Sequence, residues 1–445
     1  MKCVLIITTS FPPQRGGGVV RSSRLAKYLP DWGWKTAILT MPPPKSEISP
    51  MQLPLIPDTI VYRAPRMDLP ELYKSLKSLM NKLHIFKSKR EANRKPDLEL
   101  HREVENQSRR RMAEYFFVPD PFIFWIPGAV LLGLVAIIKE RSEAVFSMSP
   151  DPSAHLVGLI LSTITRKPWV VDFRDPWMTN PFRSPKPFRW QEALDAKLER
   201  MVINRADRIV VTSSQFKEDF LKLYPYLAKD NIHFVPNGFD PEDFSNVGIE
   251  IFNKITILHS GHFYIARSSA NFLRGLYSLL NKNAVLRSQI QVIFIGVLDA
   301  QGQSLIIELG LEDVVIQKGV VSHSESIRYI CSADVLLLVP GPGRGTMTGK
   351  IFEYLAAKKP ILVLADEGPA RDLVTSTRIG VAAPASDINA IEKELDALLK
   401  IVMSKEKYPY PDVDNILMKY DRRNIAGEIT GILNNAISKN INTKN

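Results

Sequence analysis

The chain has 445 residues, 45% of them apolar and 24% charged, with two cysteines and a net charge of 58 − 47 = +11. That length exceeds one hydrophobic core, so two domains are expected. Two isolated cysteines in or beside apolar runs exclude a disulfide framework and point to a reducing compartment. The first segment, MKCVLIITTSFPP, holds a short apolar strand pattern that ends in polar residues and prolines, unlike a secretory signal. Short apolar strands then alternate with helical stretches: CVLIITT, VVRSSRLAKYLPDW, KTAILT, and later AVFSMS, WVVDF, DRIVVTS and IHFVP. This alternation predicts a parallel sheet covered by helices.

Residues 64–118 interrupt that pattern. Leu72, Leu76, Leu79, Leu83 and Phe86 recur at helical spacing, with lysines on the other faces. Positions 74–111 hold twelve Lys or Arg against five acids, +7 of the +11. A cationic amphipathic helix of this kind suits an anionic membrane surface. A solvated lid is the alternative. The 17-residue apolar run 122–138 spans about 26 Å as helix, short of a bilayer core, and is interrupted by Pro127 and Gly128. It is expected to be a buried helix starting near Pro127. The segment 237–252, rich in Pro, Gly and Asp, reads as a linker. A second set of strands follows: 254–259, 291–295, 314–317, 334–339, 360–364 and 379–382, with a terminal helical pattern at 421–437.

Open parallel sheets bind ligands beyond the carboxyl ends of their strands. The loop after the first strand, TTSFPPQRGGGVVRSS, carries Gly16, Gly17 and Gly18 where a helix begins, which lets a phosphate or sugar approach bare amides. VVDFRDPW crowds Asp172, Arg174 and Asp175 at another strand end, where they face a ligand or pair with one another. HSGH places His259 and His262 around Gly261 without a third metal ligand, so no metal site is expected. Arg267 stands near the next helix start, a place for a phosphate. After DVLLLV comes PGPGRGTMTG and then KIFEYLAAKKP. Amides from Met347, Thr348, Gly349 and Lys350 can meet phosphate oxygens, the Lys350 ammonium adds charge, and Glu353 can accept from two ribose hydroxyls.

These stretches, with ADRIVVTSS, VPNGFD and ADVLLLVPG, resemble in order the glycosyltransferases of the GT-B fold, most closely those of family 4 type. The resemblance covers residues 2 to about 382, except 64–118. It implies two facing Rossmann-like domains with parallel sheets: an acceptor domain over 1–236, the linker 237–252, a nucleotide-sugar domain over 253–410, and a C-terminal helix in 411–445 packing back on the first. It implies transfer with retention from a UDP- or GDP-sugar to a glycan or lipid-linked acceptor, without metal or other cofactor. Arg267 and Lys350 would then neutralise the departing diphosphate, Glu353 would hold the ribose, and Gly16 to Gly18 and Gly261 would give room to the donor. Asp175 would face the reacting sugar or acceptor hydroxyl, with Arg174 standing where many members carry His. A further departure is Gly345, eight positions before Glu353, where the family motif has a first Glu.

The product is expected to belong to cell-surface polysaccharide or glycoconjugate synthesis, in the cytoplasm or on the inner face of the membrane. A catalytically silent GT-B protein, binding a nucleotide sugar or scaffolding a membrane assembly, is the alternative that Gly345 favours. A hydrolysing epimerase on the same fold fits the motif order less well. The charge alone also admits nucleic acid, but no recognition helix, zinc knuckle or aromatic-studded sheet supports it.

Overall fold

The computed structural model describes residues 1–14, 17–43, 59–65, 117–180, 183, 185–263, 267–341, 347–404, 408 and 413–442. The cationic segment 72–111, Gly16 and Gly345 lie outside them. Residues 1–210 and 430–445 form one compact unit, and 211–429 form another.

The apolar runs become the centres of two sheets. In chain order the first holds β1 (Lys2–Ile7), β2 (Trp34–Thr40), β3 (Ile60–Arg63), β4 (Ala144–Met148), β5 (Trp169–Phe173), β6 (Arg208–Val211) and β7 (Ile232–Phe234). Their spatial order is β3-β2-β1-β4-β5-β6-β7, and the pairings from β3 through β5 are parallel. β1 and β4 are buried from Cys3 and Ala144 onward, because strands covered by helices on both faces need no polar alternation.

Helix α1 (Gly17–Tyr28) follows β1. The expected buried helix is α2 (Ile126–Lys139), preceded by a turn of 3₁₀ helix at Ile123–Trp125 and with Pro127 in its first turn, where a missing amide costs nothing. α3 (Ser153–Thr165), α4 (Arg189–Arg205) and α5 (Ser214–Leu223) come next. α2, α3 and α4 pack side by side. Gly133 and Gly158 permit the tight fit: a methyl group on Gly133 would meet Leu161, and one on Gly158 would meet the Trp169 indole nitrogen at 2.6 Å.

The second sheet holds β8 (Ile255–Ser260), β9 (Ile290–Ile295), β10 (Val315–Gly319), β11 (Val335–Leu338), β12 (Ile361–Leu364) and β13 (Gly380–Ala383), ordered β10-β9-β8-β11-β12-β13 with parallel pairing throughout. Helices α6 (Ala270–Lys282), α7 (Ala284–Gln289), α8 (Ala300–Glu308), α9 (His323–Ser332), α10 (Lys350–Ala356) and α11 (Pro369–Ser376) connect the strands, and α12 (Ile388–Met403) follows the last of them. Two apolar cores result: one gathers Phe272, Leu276, Val292 and Leu395, the other Leu258, Leu336, Phe352 and Val363. α13 (Val413–Tyr420) and α14 (Arg422–Asn442) complete the chain, residues 430–445 belonging to the first unit. There Lys2 Nζ donates to Asn434 Oδ1 at 2.8 Å.

Each sheet thus has its first strand near the centre, with chain order running outward in both directions. Such an arrangement opens a binding place beyond the strands' carboxyl ends.

Candidate active site

In the first unit the carboxyl ends of β1, β4 and β5 lie side by side and bring together residues far apart in the chain. Gly17 opens α1, and Gly18 lies so close to Arg174 that a methyl group there would stand 2.9 Å from the guanidinium and 3.5 Å from Pro150. Gly18 therefore serves a close approach of the Arg174 side chain. Arg174 Nη2 lies 3.6 Å from the carboxylate of Asp175, which is 40% exposed. Thr9 donates to Asp151 just beyond β4. Ser149 Oγ stands 3.4 Å from the carbonyl oxygens of both Asp172 and Asp175 and so ties the two strand ends together.

Asp172 departs from the exposed role open to it. Its carboxylate is fully buried and accepts from Arg21 Nε at 2.7 Å and Nη2 at 3.2 Å. Arg21 itself is buried on α1, one turn after Gly17. A forked ion pair of this kind locks the glycine turn to the end of β5. Sequence reasoning passed over Arg21, Asp151 and Thr9. The available signal was Asp172 inside the apolar run WVVDF, since a carboxylate there requires a cation.

In the second unit α10 carries Lys350 at its first position and Glu353 one turn on. Lys350 Nζ donates to Glu353 Oε2 at 2.7 Å and to Ser326 Oγ at 3.3 Å. Ser326 Oγ in turn lies 2.8 Å from Ser260 Oγ, at the end of β8. The Ser260 amide donates to the buried Tyr354 hydroxyl at 2.8 Å, and burial pushes that phenol well above its usual titration range. A polar chain thereby joins the end of β8 to the first turn of α10. Arg267 Nη2 donates to the Pro340 carbonyl at 2.8 Å, which fixes it beyond β11. Thr348 Oγ1 accepts from the Lys350 amide at 3.4 Å, and the space beside Gly349 is open.

His259 belongs to β8 rather than to a loop. Its Nδ1 lies 2.9 Å from the Leu337 carbonyl, so Nδ1 carries the proton, and its ring stacks on Phe263 at 4.1 Å. Burial, with Arg267 and Lys350 nearby, pushes its pKa down to about 3. It is a neutral packing group beneath the two cations. His262 accepts from the Val297 amide at 3.0 Å. Among the described residues no three His, Cys, Asp or Glu side chains cluster as a metal site requires.

The first unit therefore presents polar strand ends beside a glycine turn, and the second presents two cations and a carboxylate at the ends of β8 and β11. Residues 16–238 match the family described as glycosyl transferase 4-like domain, and 251–408 match glycosyl transferases group 1. A search of curated proteins by sequence finds no match. Among solved structures, sucrose-phosphate synthase from Thermosynechococcus elongatus is similar at TM-score 0.65 and 14% identity, over 99% of this chain and 100% of that one. HepE from Anabaena in complex with UDP is similar at 0.59 and 15%, over 98% and 100%. A TarM variant from S. aureus, solved with fondaparinux, alpha-GlcNAc-glycerol and UDP, is similar at 0.59 and 13%, over 98% and 100%. At these identities the solved structures speak for the fold, and the family matches, which cover the second sheet and all of the first but β1, speak for the chemistry. The chain is a glycosyltransferase of the GT-B fold and belongs to the family 4-like, group 1 glycosyltransferases.

Proposed function

We propose that the protein transfers a sugar, with retention at the anomeric carbon, from a UDP- or GDP-sugar to a glycan or lipid-linked acceptor in cell-surface polysaccharide or glycoconjugate synthesis. The second unit holds the nucleotide and the first holds the acceptor. The observation that carries this reading is the joined set of Lys350, Glu353, Ser326 and Ser260 with Arg267 beyond the neighbouring strand. UDP in the HepE and TarM structures supports a uridine nucleotide as the first donor to test.

In the transfer step the anomeric C–O bond to the diphosphate breaks and its electron pair stays with the phosphate. The acceptor oxygen bonds to the same face of the sugar and gives up its proton to the departing diphosphate. Negative charge grows on that diphosphate, so Lys350 and Arg267 act where a preorganised cation lowers the barrier most. The amides of Met347 to Lys350, with Gly261 at the end of β8, complete the donor's surroundings in the second unit, and no metal or other cofactor is required. Glu353 exchanges its contact with Lys350 for the ribose hydroxyls. Asp175, whose carboxylate is 40% exposed, faces the reacting sugar or acceptor hydroxyl, with Arg174 beside it. The reading places the protein in the cytoplasm or on the inner face of the membrane. Among the described residues no helix is long and apolar enough to cross a membrane.

Calorimetric titration with UDP, GDP and their sugar conjugates tests the reading. One nucleotide binds, Glu353→Ala weakens it about ten- to a hundred-fold, and Lys350→Ala lowers kcat by about 10²–10³. A second reading, a silent protein that binds the nucleotide without turnover, rests on Gly345 in place of the family's first Glu. Tight nucleotide binding with no transfer to any glycan or lipid acceptor selects it. Absence of binding by every nucleotide overturns both.

A further inference from the structure

The helices α2, α3 and α4 lie side by side in the first unit, and their outward surface carries several exposed apolar side chains. On α4, Trp190, Leu194, Lys197 and Met201 fall at i, i+4, i+7 and i+11, one stripe about 17 Å long, and all four face solvent. Trp190 is 61% exposed and is stacked on Phe188, which is 52% exposed. Arg189 and Arg200 flank the stripe and are exposed too. An indole beside aliphatic side chains and long cationic ones is the composition of a helix that lies in a lipid interface.

The acids of α4 make the asymmetry plain. Asp195 and Glu199 are buried and the part-exposed Glu192 is paired: Asp195 accepts from Trp177 Nε1 and Arg183 Nη2, both at 2.7 Å, Glu192 pairs with Arg183 at 2.8 Å, and Glu199 accepts from the Met178 amide at 3.2 Å. Arg183 holds the Glu192 carboxyl below its ordinary range. Neither α2 nor α3 contains an acid. On α2 the solvent face is Leu131, Val135 and Ile138, again one helical stripe, closed by Lys139, and Arg166 stands exposed at the end of α3. The layer offers apolar side chains and cations, and its part-exposed acid, Glu192 at 31%, is neutralised by Arg183, so an anionic, partly apolar surface complements it and a protein surface of mixed charge does not.

We propose that the α2–α4 layer is a docking surface for an anionic lipid membrane, with the α4 stripe seated among the headgroups. Its residues belong to other stretches of the chain than the cationic segment 72–111, and the proposal does not depend on the donor reading. It would hold the acceptor-binding unit at the place where a lipid-linked acceptor is found.

Flotation of the full chain with phosphatidylglycerol–phosphatidylcholine vesicles tests this, with pure phosphatidylcholine vesicles as control. Binding is expected to the anionic vesicles and to weaken as salt rises. Neutralising two cations with Lys197→Gln and Arg200→Gln weakens binding about thirty-fold, a factor of about five for each. Brominated lipid quenches part of the wild-type tryptophan fluorescence, and Trp190→Phe removes that part. Thermal unfolding of each variant, unchanged from wild type, shows that the fold persists, and UDP affinity on the same samples keeps the donor reading as a separate result. Failure of the wild type to float with anionic vesicles overturns the proposal. So does wild-type flotation by the α4 charge variant, which would assign membrane contact to another part of the chain.

Discussion

Asp172 has no exposed surface, and two Arg21 nitrogens reach it across 151 positions of sequence. Neither charge is tolerable there alone, since an isolated buried ion loses its hydration without compensation. Asp172→Ala is expected to destabilise the first unit by about 3–5 kcal/mol, read as a lower urea midpoint, while the paired Arg21→Met and Asp172→Leu change recovers most of the loss. An unchanged midpoint for the single variant would mean the pair contributes no net stability. This contact also marks what could be read from the chain. Lys350, Glu353 and the glycines before them were legible because they lie together after one apolar strand. Arg21 was not, because its function as partner is set by the adjacency of β1, β4 and β5, and the sequence orders those strands without saying which side chains meet. The Lys350–Ser326–Ser260 chain was hidden for the same reason, since it spans three elements.

Strands covered on both faces announce themselves as continuous apolar runs, and eleven or more such runs fix an alternating α/β architecture before any pairing is known. Boundaries in the second sheet shift by one residue, or by two at the end of β10, where the strand ends are set by neighbours. β3 escaped notice: IVYR is four residues long, half-buried throughout, and pairs only through β2 at the sheet edge. An edge strand buries too little to impose a pattern. A different constraint holds α13 and α14 in place. The Phe239 amide donates to the Tyr420 carbonyl at 3.0 Å, and the Arg422 amide donates back to Phe239 at 3.1 Å. A methyl group on Gly238 would lie 2.2 Å from that Tyr420 carbonyl oxygen, which belongs to rigid backbone. Gly238→Ala is therefore expected to cost at least about 1–3 kcal/mol and to expose the 413–429 segment to protease, while leaving the cleavage pattern of residues 1–210 unchanged. Wild-type resistance of that segment would show that the contact relaxes freely.

Across the whole molecule, the described residues of each unit include a histidine that is buried and neutral. His155, in the first, lies 2.9 Å from Ser147 Oγ and against Phe173, and burial pushes its pKa to about 3. His259, in the second, is pushed to about 3 by burial and by the cations above it. An unfolded histidine takes up its proton near pH 6.5. Both folded values lie below that, so the stabilisation is complete above about pH 6.5 and falls as the unfolded chain gains protons that the folded one excludes. The slope is about 1.4 kcal/mol per pH unit for each histidine once the pH is well below 6.5. Carboxylates held low by partners, Glu140 by Lys35 and Glu392 by Lys282, add to the loss only nearer pH 4.5, while Asp120, pushed up by burial, acts in the opposite sense. The interval from pH 6.5 to 5 therefore reports chiefly on the histidines. Urea unfolding across it should steepen toward low pH in the wild type, and His155→Gln and His259→Gln should each remove one histidine's share of the slope, with the Asp120 contribution common to all three proteins. A slope that survives both substitutions would locate the acid sensitivity elsewhere in the chain.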